Sequence, residues 1–385
     1  MTMTKTHPHR NGADILILGA TGSVGGSITR SLSGSCPNQI HVGGRDAREV
    51  TALARSLGHC AHPVHVDITD DAALRAALTG KSVVINTSSV GFPTVLAAAI
   101  EAGAHYVDVS ADLEAWGRML PLHQKALDAG VTAVLGAGLI PGLSNVLAAA
   151  AARDVGTVSA IRTGVHLDVR DPHGPGALEY MLAAFDDVHP PAGHDGAGRF
   201  RTFERRADIE FPGRIGRRRS YSFPFPGQFH YSRTLGVARA STYLSLGPGI
   251  LAGLGHLAAV AGLAPLLARP GLSRAVHRWQ ERLGRPAEAR PRPYALVVDA
   301  HGTEGRARWS ASGTGESRAT ARIATWFATR ILGGHIASGV LLPEQTGASE
   351  ALLTHLSLDP GAVRIDRQID VSSSRQEAAR WTSQE

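Results

Sequence analysis

After an aperiodic arm over Met1–Asn11, the chain enters an apolar run, Ile15–Leu18, that reads as a strand buried on both faces. The glycines behind it make a turn, and Ser27–Leu32 continue as a helix. The couplet then recurs. Strand-like QIHVGGR precedes helical AREVTALARSLG, HPVHVDITD precedes DAALRAALTG, and SVVINTSS precedes PTVLAAAIEAGA. HYVDVSAD, the helix around LPLHQKALDAG and the strand VTAVLGAG complete the series. Strand and helix alternating in this way predict an α/β fold, a Rossmann-type doubly wound parallel sheet over 12–145.

Beyond Pro141 the rhythm changes. SAIRTGVHLDV, GRFRTFERRADIEF, PYALVVDAHG and RARWSASG read as antiparallel strands, the last two joined by a TEG turn. This predicts a second, α+β domain with a mixed or antiparallel sheet over 146–317. ATARIATWFATRILGG reads as a late helix ending at Gly333 and Gly334. From Asp366 the chain turns polar and aperiodic, so 366–385 are expected to be a tail.

Leu246–Gly271 carries no charge before Arg269 and approaches the ~20 apolar residues that span a bilayer. Pro248 and Pro265 interrupt it and His256 sits in its middle. A buried or interface helix pair is the first expectation for this segment, peripheral membrane contact through 246–268 the second, and a true membrane span the last.

Composition narrows the picture. With 385 residues, 43% of them apolar, the chain is long enough for two cores. Two cysteines, Cys36 and Cys60, are too few for a disulfide framework, and nothing at the start has the form of a secretory signal, so a cytoplasmic protein is expected. The net charge of +6 is unevenly placed. Residues 11–140 balance at −3, whereas Arg199–Arg219 carry eight arginines against three acids. No helix-turn-helix, zinc finger or aromatic RNA motif accompanies those arginines, so no nucleic-acid partner is expected. Nor does any cluster of His and Cys have metal-ligand spacing, so no metal is expected.

The chemistry begins at GATGSVG, where Gly19, Gly22 and Gly25 lie between a strand and a helix. Such glycines give a tight turn, approach of backbone to a pyrophosphate, and close helix packing. Thr21, Ser23 and Val24 complete the candidate loop. At the end of the second strand, where an acid would hold the ribose 2′-OH of NAD, the chain has Gly43, Gly44 and Arg45. The glycines are read as leaving room and Arg45 as a fork for a 2′-phosphate, with Asp46 beside it. NADP(H) is therefore the expected cofactor. Asp67 and Ile68 are placed near its adenine, and Thr87, Ser88 and Ser89 on the path to the nicotinamide.

ILGATGSVG, GGRD, VVINTSSVGF, VLAAAIEAGAHYVDVSAD and GAGLIPGLSN stand in the order and spacing of the saccharopine dehydrogenase-like NADP-dependent oxidoreductases, which the chain resembles over Ile15–Leu147. FPFPGQFHYSRTLGVARASTYLSL and GVLLPEQ resemble the same family more weakly. The resemblance implies an NADP-binding domain completed by the late helix within 318–345, and an inserted substrate-binding domain that supports a homodimer. It also implies hydride transfer to C=N, C=O or an activated C=C of a small or carrier-bound metabolite. Amino-acid-handling members carry an aspartate before the Pro-Gly of the sixth-strand loop; here Ile140 stands there, so saccharopine itself is not the expected substrate.

For proton transfer the candidates are Tyr106 and Asp108 at the end of a central strand, and His166 and Asp168, which share one face of a strand in the second domain. Ser110, Pro141, His230, Tyr231 and Arg233 are the candidates for substrate contact. The rival to an enzyme is a non-catalytic or membrane-associated nucleotide-binding relative that acts as an interaction protein.

Overall fold

The computed structural model describes residues 13–34, 39–171, 180–185, 188–190, 192, 198–263, 291–359 and 363–370. The predicted arm, most of the predicted tail, Cys36 and the latter part of the apolar segment lie outside the described residues. Two seven-stranded sheets organise them.

The first sheet is parallel throughout. Its strands are β1 (Asp14–Leu18), β2 (Gln39–Gly44), β3 (Ala61–His65), β4 (Val83–Asn86), β5 (His105–Asp108), β6 (Thr132–Val134) and, from far along the chain, β15 (Gly339–Leu341). Their spatial order is β15-β6-β5-β4-β1-β2-β3, which reverses direction between β1 and β4. Ligands collect at such a reversal, outside the carboxyl ends of the strands. The connecting helices are α1 (Ser23–Ser33), α2 (Ala47–Leu57), α3 (Asp71–Leu78), α4 (Phe92–Ala102), α5 (Leu113–Met119) and α6 (His123–Asp128). Asp46, Asp70 and Asp112 start α2, α3 and α5 by accepting hydrogen bonds from two backbone amides each.

A buried helix, α7 (Leu143–Arg153), leaves this sheet and leads to the second one. That sheet is mixed, in the order β10 (Arg206–Phe211), β11 (Gly216–Ser222), β12 (Arg239–Gly247), β7 (Val158–Asp168), β13 (Pro293–Gly302), β14 (Gly305–Thr314) and β16 (Val363–Asp370). β12 and β7 run parallel, and every other pair is antiparallel. A two-stranded ribbon, β8 (Val188–His189) with β9 (Phe200–Arg201), lies apart from it. α8 (Gly227–Thr234) and α9 (Gly249–Val260) flank the sheet.

The chain returns through α10 (Glu316–Leu332), which packs on α1, and then adds β15. It finally crosses back through α11 (Ser349–Ser357) to β16. Residues 366–370 are therefore an edge strand and not part of a polar tail. Their side chains are exposed, so only hydrogen bonding to β14 marks them as a strand. Cys60, buried at the start of β3, is disulfide-bonded, so a two-cysteine count does not translate into free thiols.

Candidate dinucleotide site and adjoining cleft

The turn after β1 needs its glycines for backbone reasons. Gly19 has φ +76°, and the Gly22 amide donates to its carbonyl at 3.0 Å. A Cβ on Gly25 would stand 2.2 Å from the Gly19 oxygen, so α1 approaches the turn as only a glycine helix start allows. The first turn of α1 has no acidic residue, and its positive end is open to an anion. Thr87 closes the turn from the β4 side: its hydroxyl donates to the carbonyls of Leu18 and Gly19 at 2.8 and 3.2 Å. Its role is to brace the loop.

At the end of β2, Arg45 and Arg48 are exposed. The Asp46 Oδ1 accepts from the Arg48 and Glu49 amides at 2.8 and 3.1 Å, so this acid is the cap of α2. His65 donates to the Arg45 carbonyl at 2.9 Å and holds the corner. The two preceding glycines serve packing and do not make room for a ligand. A Cβ on Gly43 would meet the Ile17 carbonyl at 2.9 Å, and one on Gly44 would meet Val50 at 2.9 Å. Asp67 is exposed; hydrogen bonds from the Thr69 amide and hydroxyl, with Arg45 contributing, hold its carboxyl below the usual range. Ile68 is buried in the core and contacts Gly91 instead of lining the surface.

Under the carboxyl ends of β4 and β5 runs a chain of buried polar groups. Ser88 donates through both amide and hydroxyl to Asn86, and the Asn86 amide donates to the Tyr106 hydroxyl at 3.3 Å. Asp108 accepts from the Ser110 amide, the Ser110 hydroxyl and the Gly136 amide, and Trp116 donates to Ser110 at 2.9 Å. Tyr106 and Asp108 are both fully buried. Burial raises the Asp108 carboxyl and pushes the Tyr106 phenol well above its ordinary value. Neither reaches a surface from which a proton could be passed, so both are corrected to framework residues. Ser110 uses its hydroxyl internally, and Pro141 is buried against Gly136, so neither presents a side chain for substrate.

Across the edge of the sheet, α8 packs against α5. The His230 and Trp116 rings lie 5.5 Å apart. The Nε2 of His230 is buried with no hydrogen-bond partner among the described residues, and burial, aided by Arg233, lowers the ring to about 4. Arg233, one turn on, is exposed. Tyr231 is fully buried in the core behind the helix, and burial pushes its phenol well above the ordinary value, so it is framework.

Residues 15–134 match the family of saccharopine dehydrogenase NADP-binding domains. The N-terminal unit is a domain of that family. A saccharopine dehydrogenase NADP-binding domain serves an oxidoreductase, and a nicotinamide dinucleotide is its cofactor. The whole chain is similar in fold to apo saccharopine dehydrogenase (L-Glu forming) from Saccharomyces cerevisiae. That likeness has 15% identity and a TM-score of 0.65, and covers 93% of this chain and 100% of the other. GenD2 from gentamicin A biosynthesis, in complex with NAD, is 13% identical over 96% and 99% of the two chains, with a TM-score of 0.41. A dehydrogenase from Clostridium difficile is 8% identical over 90% and 99%, with a TM-score of 0.39. These last two share too little of the fold to carry an argument.

The first domain and the second sheet do not bring together all of the candidate residues. Odd positions of β7, including Val165 and Leu167, join the main core, and Thr163 meets Tyr231. Even positions point the other way, where Ile209 of β10 covers Gly164. His166 and Asp168 are on that far face, one bonded to Ser245 and the other gripped by Arg170, so the thickness of the sheet separates them from His230. Sequence reasoning missed Asn86, Asn145 and Glu344. Asn145 of α7 donates to Glu344 at 2.8 Å, and Thr234 of α8 donates to the same carboxyl at 2.9 Å. Burial raises that carboxyl, which ties α7 and α8 to the turn after β15. Its partners are more than a hundred residues away along the chain, so no local pattern announces them.

Proposed function

We propose that the protein is an NADP(H)-dependent oxidoreductase that transfers hydride to a C=N, C=O or activated C=C of a small or carrier-bound metabolite. The observation that carries the cofactor choice is the corner after β2. Arg45 is exposed there, while the neighbouring acid, Asp46, is committed to two backbone amides. A 2′-phosphate meets an exposed guanidinium at that corner, and the carboxylate next to it in the chain is turned to the helix amides. The cofactor, once bound, supplies or accepts the hydride. The chain's own residues bind its pyrophosphate at Gly19–Gly25, brace that loop through Thr87, and offer exposed Ser89 at the end of β4.

His230 is the polar side chain on the second-domain side best suited to meet the reacting atom. With its ring lowered to about 4, it is neutral near pH 7 and orients a substrate through a hydrogen bond, leaving proton delivery to water. Arg233 gives the same helix a cation for an anionic part of the substrate. Neither lysine among the described residues stands at the site: Lys81 precedes β4, at the opposite end of the sheet, and Lys125 is exposed on α6.

The test is fluorescence titration with NADPH and NADH on wild type and Arg45→Ala. NADPH is expected to bind tighter, and the substitution to weaken NADPH alone by about tenfold or more, as loss of a charge-assisted phosphate contact implies. Equal affinities in wild type would sink the assignment.

A further inference from the structure

α9 is apolar on two opposite faces. One face is seated: Gly255 comes close enough to the Phe203 ring that a Cβ would lie 2.9 Å from it, and His256 donates to the Phe203 carbonyl at 2.6 Å. The His256 ring also stacks on Tyr221 at 4.8 Å, and Ala252 and Ala259 are buried beside it. The other face carries Ile250, Leu254, Leu257 and Val260, which are 76%, 59%, 65% and 65% exposed, and Leu263 follows at 52%. Ile250, Leu254 and Leu257 are spaced by four and three residues, so they form one stripe. No residue of α9 is charged, and nothing among the described residues covers the stripe.

The segments that seat α9 are rich in arginine. Phe203 lies between exposed Arg201 and Arg206, and Tyr221 follows exposed Arg217, Arg218 and Arg219 on β11, where Arg217 and Arg219 share the single carboxylate of Asp208 at 3.0 and 3.9 Å and so keep a net positive charge. Arg199–Arg219 have eight arginines against three acids, and the sequence that continues beyond Leu263, residues 264–290, adds six arginines against two. An apolar helical stripe flanked on both sides in sequence by excess arginine matches the chemistry of an interface with acidic lipid: hydrocarbon for the leucines, phosphate for the guanidiniums. A water-facing stripe of this size costs solubility without return, and a protein partner gives no reason for arginine excess at both flanks. No helix among the described residues is long and apolar enough to cross a membrane, so the contact is peripheral.

We propose that α9 docks the protein on an anionic lipid surface, with Ile250, Leu254 and Leu257 entering the acyl boundary and the arginines around Phe203 and Tyr221 meeting lipid phosphates. The seat of α9 runs into an aromatic layer that ends just before α8. Tyr221 contacts Phe203, Phe203 contacts Phe223, and Phe223 and Phe225 contact Tyr180, so an aromatic layer links the lipid-facing helix to the α8 region.

The test is co-sedimentation of the full chain with sucrose-loaded vesicles, either phosphatidylcholine alone or equimolar phosphatidylcholine and phosphatidylglycerol. Binding is expected only with phosphatidylglycerol and is expected to weaken with salt. Leu254→Ser with Leu257→Ser should lower the partition coefficient at least tenfold, and Arg201→Gln with Arg206→Gln about fivefold per arginine removed. NADPH affinity should be unchanged in both variants, which separates this result from the cofactor assignment. The arginine pair is on the surface with no side-chain bond to lose, so it keeps the test decisive if the leucine pair disturbs folding. Failure of wild type to bind anionic vesicles, or equal binding to both vesicle types, overturns the proposal. With no vesicle binding, a smaller species on gel filtration of the leucine variant assigns the stripe to a second copy of the chain. Unchanged size with a lowered melting temperature assigns it to residues 264–290.

Discussion

His230 of α8 packs its imidazole on the indole of Trp116 in α5, with ring centroids 5.5 Å apart, and so joins the second domain to the dinucleotide-binding edge. Because burial lowers this ring to about 4, the folded protein binds its proton later than the unfolded chain does as pH falls. The stability this contributes is present above about pH 6.5 and is lost progressively toward pH 4. Thermal unfolding followed from pH 7 to pH 4 should show a steeper fall in melting temperature for wild type than for His230→Gln. The same substitution should reduce kcat with little change in NADPH affinity, and an unaltered kcat would remove His230 from the site.

Tyr106 and Asp108 invite a catalytic reading from sequence, and their burial argues for a framework one. Tyr106→Phe removes one neutral hydrogen bond and should cost about 1 kcal/mol of stability while leaving turnover intact. Asp108→Ala strands the Gly136 and Ser110 amides and should cost roughly 2–4 kcal/mol. Urea unfolding beside steady-state kinetics checks both; a large loss of turnover in a well-folded Tyr106→Phe would reverse the assignment.

Gly25→Ala should be among the most damaging small substitutions in the first sheet's connections, since its Cβ would lie 2.2 Å from the Gly19 oxygen and 2.6 Å from the Thr87 hydroxyl. The expected cost is about 1–3 kcal/mol. Unlike Arg45→Ala, it should weaken NADPH and NADH together, because the pyrophosphate turn is common to both. Titration with the two cofactors distinguishes these patterns.

Asp299 of β13 is almost wholly buried among Arg162, Arg306 and Arg308, which reach it from β7 and β14 at 3.4, 3.3 and 2.6 Å. Burial pushes its carboxyl up, but the Arg308 hydrogen bonds and the charges of all three arginines outweigh that and leave it lowered. Its contribution to stability is therefore present above the unfolded value and lost as pH falls through the lower folded one. Asp299→Asn leaves three guanidiniums without their counter-charge and should cost roughly 3–5 kcal/mol, measured by denaturant unfolding at neutral pH.

Hydrophobic periodicity alone determined the six strands of the first sheet that lie in 12–145; β15 joined them only through the return of the chain. Ile15–Leu18 and its successors are apolar because parallel strands are buried on both faces, and the glycines of GATGSVG follow from backbone sterics that no distant residue alters. The β13–β14 hairpin and α10 were legible for the same local reason. Tertiary structure decided everything that depends on which surfaces meet. Burial removed Tyr106, Asp108, Ser110 and Pro141 from the reacting surface, and a parity of one residue along β7 put His166 and Asp168 on the far side of a sheet. Residues 366–370 became a strand only because β14 offered an unpaired edge. The glycines before Arg45 turned out to serve β1 and α2, not a ligand. Sequence states what each segment tends to do, whereas burial and facing are relations between segments far apart in the chain, and those relations separate candidates locked in the framework from exposed ones such as Arg45 and Arg233.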